Sequence, residues 1–453
     1  MLATTALVAV VAHAVVPGLP WPAAFVLGAI VAPPDAVAAT TIARRLGLPQ
    51  RIVTIIEGES LVNDAASLVA YRVAVAAVVT GSFSLGSASL SFVVGGVGGV
   101  AIGVGFGFLR GLAARVLSPD AAVDNTLFLL TPYAAYLVAE QVEVSGVLAV
   151  VAAGLVVARV SSPVVGFQTR LSSLAITDLL SFVLTSLVFV LIGLQLRPVL
   201  AALPQDRLLP VLGETLLVAL TVVVVRMLWV FPGMYLPRLL SAREQRPPIG
   251  GALVVGWAGM RGVVSLAAAL SLPTATDSGG AFPERDVLVL ITFGVILVTL
   301  VLQGLTLPAL IRRTGLHDDG MVDRERATAR ARASAVALAR LVELAEQPWA
   351  PDRPVQRLRE RYTGQHTRDH ARAQRLSAEA SDTGSADGGH SAPPAGSRDD
   401  ARVEATTRLL GEVLAAQRAA LLDLRRDGTI GDEALRDVQR NLDLEAARAA
   451  SRR

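Results

Sequence analysis

The stretch from Gly28 to Ala36 reads GAIVAPPDA and lies inside a long apolar run. Its two consecutive prolines, Pro33 and Pro34, remove two backbone N–H donors and therefore break a helix at that point. Asp35 follows the break directly. Non-helical backbone and a carboxylate are tolerated at membrane depth only where they are buried in protein or line a water-filled cavity. Freed carbonyls and a carboxylate supply the hard oxygen ligands that a small cation needs. The stretch therefore predicts an ion site, with a proline-kinked packing helix as the alternative.

The sequence around this stretch is a series of apolar runs. The chain of 453 residues is 53% hydrophobic and only 17% charged, whereas a soluble domain carries about 25% charged residues. An ordinary soluble enzyme is therefore disfavoured. An all-α polytopic membrane protein is predicted, because each run approaches the roughly 20 residues that cross a bilayer. The ten predicted spans are 2–16, 21–43, 52–79, 90–117, 125–141, 145–159, 173–196, 208–236, 249–272 and 286–311.

Charge is distributed unevenly along the chain. Residues 1–311 hold 16 Arg and 15 Asp or Glu, whereas residues 312–453 hold 25 Arg and 23 Asp or Glu. The C-terminal part is therefore predicted to be a water-exposed tail. With the loop at 44–51 in the cytoplasm, twelve arginines flank the spans on that side and three on the other. This positive-inside bias predicts a multi-pass protein of a bacterial-type inner (plasma) membrane with a cytoplasmic tail.

A second polar stretch lies in the third run, where residues 57–64 read EGESLVND. At helical spacing Ser60 and Asp64 share one stripe, and Glu59 and Asn63 share the neighbouring one. A carboxylate in a low-dielectric cavity has a raised proton affinity, so it can exchange a proton for a cation near neutral pH. That chemistry is typical of an antiporter. A purely structural buried network is the alternative.

Two arginines lie in apolar surroundings later in the chain. Arg226 stands between TVVVV and MLW, where a buried arginine needs an acidic partner. Arg261 belongs to the stretch GWAGMRG at 256–262, whose glycines favour a second interrupted helix. One broken helix near each end of the membrane segment, each followed by one further span, is the pattern of inverted repeats around a midplane site.

Several other classes of protein are excluded or disfavoured. The chain has no Cys, which excludes disulfides, thiolate metal sites and cysteine nucleophiles. It has no Lys either, so no lysine serves as a titrating base. Gly58-Glu59-Ser60 fits a loose serine-protease pattern, but the only histidine before the tail is His13. Nucleic-acid binding is disfavoured because residues 1–311 and residues 312–453 are each nearly neutral. No cofactor is predicted.

Over about residues 1–313, these motifs resemble the sodium/proton exchanger branch of the monovalent cation:proton antiporters. The matching elements, in the family's order, are Pro33-Pro34-Asp35, GESLVND at 58–64, LIGL at 191–194, Arg226 and GMRG at 259–262. The resemblance implies an inverted-repeat antiporter fold with two broken crossing helices. It also implies a secondary transporter rather than an enzyme, which exchanges Na⁺, with Li⁺ or K⁺ as alternatives, for H⁺.

The resemblance further implies a role for each residue of the motifs. Asp64 would be the essential cation- and proton-binding carboxylate, and Asp35 would lie beside it, so that the transported Na⁺ binds these two side chains. Ser60 and Asn63 would support that site. Glu59 would form a structural ion pair with Arg226. Arg261 would lie in the second crossing helix.

The chain departs from the family pattern in two places. The family often has Thr-Asp-Pro where this chain has Pro34-Asp35-Ala36, a difference that bears on cation affinity and selectivity. The family fold has thirteen helices, whereas about ten spans are counted here. The missing helices belong before 2–16 and help to form the interface of the family's homodimer. The open alternatives are a K⁺/H⁺ exchanger of the same fold and a truncated, transport-inactive membrane scaffold.

The chain is predicted to have four segments. Residues 1–313 form the transmembrane exchanger domain, 314–380 a cytoplasmic helical segment, 381–400 a low-complexity linker, and 401–453 a C-terminal helical segment. Leucines between 409 and 424 give the last segment an apolar face that needs a partner. A small helical hairpin, dimerisation and regulation are the three interpretations of that face.

Overall fold

The computed structural model describes residues 1–82, 85–117, 121–160, 167–202, 205–240, 249–316, 320–379 and 400–450. They separate into two compact units, one of residues 1–164 and 176–318 and the other of residues 165–175 and 319–453. Within the described ranges the chain is helical almost throughout, and the only extended pairing there is an isolated bridge between Ala275 and Ala281. The predicted all-helical class is confirmed.

All ten apolar runs are helical in the structure, and two of them are interrupted. The run at 21–43 is divided between Val31 and Ala36, where Pro33 and Pro34 supply no N–H to continue the ladder. The run at 249–272 is divided between Trp257 and Val263. The helices up to residue 314 are α1 Leu2–Val15, α2 Trp21–Val31, α3 Ala36–Arg45, α4 Gln50–Thr80, α5 Leu85–Leu117, α6 Ala121–Gln141, α7 Gly146–Val160, α8 Phe167–Ala202, α9 Gln205–Leu240, α10 Ile249–Trp257, α11 Val263–Leu270, α12 Arg285–Val298, a π-helical turn Thr299–Gln303, and α13 Gly304–Thr314.

Five segments of the described chain are long and apolar enough to cross a membrane. Three shorter apolar helices accompany them: Leu2–Val15, Gly146–Arg159 and Ala175–Leu187. The count of ten spans therefore stays a prediction. The five long segments are Trp21–Arg45, Gln50–Thr80, Val93–Val116, Arg207–Leu236 and Arg285–Thr314.

Two apolar clusters hold the broken helices in place. One joins α1, α2, α9 and α12, and includes Leu27, Val218 and Ile291. The other joins α3, α4, α9, α10 and α13, and includes Met260. Residues of both α4 and α9 belong to the two clusters, so these two unbroken helices link them.

Helices α5 and α7 pack closely along a row of glycines. Cβ atoms at Gly99 and Gly103 would lie 2.4 and 2.1 Å from the backbone carbonyl oxygens of Ser145 and Ala149. Small residues four apart are the usual means by which membrane helices bring their backbones together. Together with α6, these two helices share an apolar core that includes Ala135.

The C-terminal unit contains four described helices: α14 Met321–Ala345, α15 Asp352–Glu379, α16 Asp400–Arg426 and α17 Asp432–Ala450. The apolar face predicted to need a partner is covered within this unit. Leu414 and Leu421 pack with Ala333 of α14 and Leu435 of α17. The face thus finds its partner in α14, α15 and α17 of the same unit, while dimerisation and regulation stay predictions. The predicted linker at 381–400 lies outside the described residues except for Asp400.

Candidate functional site

The two helix breaks meet in the first unit. The backbone N–H of Asp35 donates to the carbonyl oxygen of Met260, at 2.7 Å. A Cβ atom at Gly262 would overlap the carboxylate of Asp35, so glycine is required for the breaks to approach this closely. A side chain at Gly259 would likewise overlap Arg226. Gly259 and Gly262 therefore allow the backbone of the second break to lie against Arg226 and Asp35.

Asp35 ends the first break by capping α3. Its Oδ1 accepts the backbone N–H of Val37 at 2.8 Å. This is a standard N-cap, and it satisfies one of the free N–H groups at the start of the helix. The negative charge also lies at the positive end of the α3 dipole. One carboxylate oxygen of Asp35, a predicted cation ligand, is therefore already engaged in a hydrogen bond that stabilises the start of α3.

Arg261 of the second break satisfies free carbonyl groups, as Asp35 satisfies a free N–H group, and its side chain is only 1% exposed. The guanidinium donates to the carbonyl oxygens of Val31 and Ala32 at 2.9 and 3.1 Å, and to that of Gly259. Free carbonyls at the C-terminal ends of α2 and α10 carry partial negative charge. A buried cation is stable there because it replaces the missing N–H donors of both broken helices. The prediction placed Arg261 in the crossing helix, and the structure places it in the break itself.

Helix α4 brings its polar stripe against the first break. Ser60 is buried, and its hydroxyl donates to the carbonyl oxygen of Pro34 at 2.7 Å. Asp64 lies one turn further along the same face, half-buried, where it interacts electrostatically with Asp35 and with the Ser60 hydroxyl. The structure thus brings together Asp35, Ser60 and Asp64.

Asn63 and Glu59 belong to a neighbouring ionic cluster. The Asn63 amide donates to Glu59 Oε1 at 3.3 Å. Arg226 of α9 donates to both carboxylate oxygens of Glu59, at 2.9 and 3.1 Å, and to the carbonyl oxygen of Val255 at 3.2 Å. The side chain of Arg226 is 7% exposed and that of Glu59 is 32% exposed. Asn63 therefore acts on Glu59 in this structure, and a cavity of about 20 Å³ beside the pair has room for about one water molecule.

Other charged groups occupy the apolar runs. Arg72 on α4 pairs with Glu140 on α6 at 2.5 Å, whereas Asp178 on α8 is exposed. Glu214 on α9 was not among the candidates from the sequence, although it is an acid inside the run 208–236. It is only 6% exposed, as buried as Arg226. The sequence signal was present, because any carboxylate inside an apolar span is a candidate functional group.

Comparisons with known proteins identify the family of the chain. A family model described as "Sodium/hydrogen exchanger, transmembrane" matches residues 1–313. A "Sodium, potassium, lithium and rubidium/H(+) antiporter" of Bacillus pumilus is 36% identical over 312 residues, which are 66% of this chain and 46% of the antiporter. An uncharacterised Na⁺/H⁺ exchanger of Mycobacterium bovis is 34% identical over 433 residues, which are 93% of this chain and 76% of that protein. The chain thus spans about half the length of the Bacillus antiporter.

The fold was also compared with that of a solved antiporter structure. The sodium proton antiporter of Methanocaldococcus jannaschii, solved at pH 8, is similar with a TM-score of 0.50 and 20% sequence identity, over 67% of this chain and 76% of that one. At this identity the likeness concerns the fold alone.

Proposed function

Because the chain belongs to the sodium/hydrogen exchanger family, we propose that it exchanges a monovalent cation for protons across a membrane by alternating access. Asp64 and Asp35 bind either the cation or protons, and competition for this one site couples the two fluxes. Transported Na⁺ is the substrate of the site and binds as cargo. The observation that carries the proposal is the meeting of the two helix breaks at Asp35, with Ser60 and Asp64 of α4 against them.

Each remaining residue has a supporting part in the proposal. Ser60 holds α4 against the first break, and Arg261 neutralises the carbonyl ends of α2 and α10. Glu59 and Arg226 form a structural ion pair that fixes α4 to α9, and Asn63 supports the site by orienting Glu59.

The proposal includes the arrangement in the membrane. The protein lies in the inner (plasma) membrane as a multi-pass homodimer of inverted-repeat fold, with about ten spans in this chain. The excess of arginine in the loops around 44–51 supports a cytoplasmic tail.

Na⁺ is the first candidate cation, and a K⁺/H⁺ exchanger is the second. The printed name of the Bacillus relative includes sodium, potassium, lithium and rubidium, which supports a site that accepts cations of several sizes. Oxygen ligands from a carboxylate, a hydroxyl and backbone carbonyls suit all of these ions.

The test is cation-induced collapse of a pH gradient in everted membrane vesicles. Na⁺, Li⁺ and K⁺ are added in turn to vesicles that contain the wild type, Asp64→Asn or Asp286→Asn. Asp286 is an exposed carboxylate in the first turn of α12, so D286N controls for loss of one negative charge. Collapse with wild type and D286N but not with D64N supports the proposal and ranks the cations. Undiminished exchange by D64N, or no collapse with any of the three proteins, refutes it.

A further inference from the structure

Glu214 is a buried acid that the proposed site does not use. It lies in the apolar cluster of α1, α9 and α12, between Val211 and Val218 on the buried face of α9. Its Oε2 is buried and accepts no hydrogen bond from any residue in the described ranges. Purely structural packing would not require a carboxyl group in these surroundings.

Few charged groups act on Glu214. Those that do are Arg207 on α9 itself and Glu284, which immediately precedes α12. Arg207 already pairs with Glu284 at 3.5 Å. Helix α1, which packs against α9, carries one titratable side chain, His13, whose ring contacts the carbonyl oxygen of Leu19 and stacks on Trp21. Helix α12 begins with Arg285 and Asp286, which pair with each other. An unpaired carboxylate charge is strongly disfavoured in a low-dielectric interior, whereas a neutral carboxyl group is tolerated there.

The depth of Glu214 follows from the helix ends. The backbone N–H of Asp277 donates to the carbonyl oxygen of Val79 near the end of α4, and the Arg207–Glu284 pair joins the starts of α9 and α12. These three helix ends therefore lie at the same face of the bundle. A rise of about 1.5 Å per residue places Glu214 about 14 Å from the start of α9, and Asp64 about 24 Å from the end of α4. Glu214 thus lies about 10 Å nearer to this face than Asp64.

Polar side chains accompany Glu214 where α9 crosses α12. A Cβ atom at Gly294 of α12 would lie 2.4 Å from Thr215 Cγ2, which shows that the two helices touch at this depth. Thr292 of α12 is fully buried, and its hydroxyl has no hydrogen-bond partner within the described part of the chain. The Glu214 carboxyl group and the hydroxyl of Thr215 beside it are groups that can hand on a proton at this crossing of α9 and α12.

We infer that Glu214 is a second proton-carrying carboxylate, which passes protons between this face of the membrane and the Asp64 and Asp35 site. In each transfer its O–H bond breaks, the proton goes to a water molecule, and the carboxylate then takes a proton from water on its other side. The inference rests on the proposed exchange function. Its test therefore separates failure of the relay from failure of exchange.

The test uses the purified full-length chain in proteoliposomes, with Na⁺-driven proton flux measured from pH 6 to pH 9. The variants are Glu214→Gln, which removes the proton but keeps the shape, Glu214→Asp, which keeps the carboxyl group, and the exposed control Asp286→Asn. We expect E214Q to lower the rate about tenfold or more at pH 9, where protons are scarce, and much less at pH 6. E214D should restore most of the rate, and D286N should match the wild type.

A merely structural role gives a different result. In that case E214Q lowers the melting temperature and scales the rate by the same factor at every pH, which overturns the inference. A pH profile of E214Q that coincides with the wild type also overturns it, while the exchange function stands. If E214Q does not fold, Glu214→Leu, an apolar side chain that suits these surroundings and carries no proton, takes its place, and the same two pH profiles decide the question. No flux with the wild type at any pH refutes exchange and the relay together.

Discussion

Removing the positive charge of Arg226 should destabilise the protein more than removing the whole ion pair. Arg226→Gln deletes two charged hydrogen bonds to Glu59, at 2.9 and 3.1 Å, and one to the Val255 carbonyl. A hydrogen bond to a charged group contributes about 1.5 to 3 kcal/mol, and breaking a buried pair by removing one partner costs about 3 to 5 kcal/mol. Glu59 keeps its bond from Asn63 and is 32% exposed, so the lower end, about 3 kcal/mol, is expected.

The double variant tests whether Glu59 and Arg226 stabilise the protein as a pair or independently of each other. Glu59→Gln with Arg226→Gln leaves two neutral amides that can bond to each other, so we expect a loss of about 1 to 2 kcal/mol. Glu59→Gln alone leaves the cation with the Val255 carbonyl and should cost about 2 kcal/mol. The assay is unfolding of the purified chain in mixed micelles, followed for wild type, both single variants and the double variant. Losses that add to within about 0.5 kcal/mol would refute the coupling.

Two further predictions concern the meeting of the breaks and the tail. Gly262→Ala should reduce exchange at least tenfold in the vesicle assay, because its methyl group would overlap the Asp35 carboxylate. The control Gly58→Ala, where the new methyl group meets open space, should leave exchange unchanged. Equal activities of the two variants would show that Asp35 can move without loss of exchange. Burial raises the pKa of Asp369 in α15, so the folded tail binds this proton more tightly than the unfolded chain, and its stability falls as the pH rises from the ordinary aspartate value through the raised one. Hydrogen exchange of α15 in the full chain should show this fall of stability with pH. Asp369→Asn should remove the pH dependence, whereas Glu360→Gln, at an exposed site on the same helix, should preserve it. A pH dependence unchanged by D369N would contradict the assignment to Asp369.

The sequence predicted those features that depend on local chemistry. Pro33 and Pro34 break a helix wherever they occur inside one, so the first break could be placed to within a residue or two. The spacing of Ser60 and Asp64 put both on one face of α4, since one helical turn separates them. The apolar runs gave every helix of the first unit because hydrophobic length is a strong signal.

The features that depend on distant parts of the chain could not be predicted in this way. Arg261 donates to the carbonyl oxygens of Val31 and Ala32, far earlier in the chain, and no local pattern shows that the second break supplies donors to the first. The sequence predicted a helical segment over 314–380 but not the bounds of α15 within it, since this part is dominated by polar residues. Those bounds depend on packing, because Val355 and Tyr362 lie against Leu341 and Leu409.

The two carboxylates of the proposed site are not equivalent, and the difference determines where cation and proton compete. Asp35 Oδ1 caps α3, and Oδ2 lies against Gly262, where even a methyl group would not fit. Any large movement of this carboxylate exposes the start of α3 and opens the contact between the breaks. Asp64 instead projects from the middle of a continuous helix, half-buried, with its backbone bonds intact. Asp64 can therefore change its ligands without changing the fold, whereas Asp35 is held in place by both breaks, so under the proposed function Asp64 is the carboxylate of the shared site that moves when cation and proton exchange.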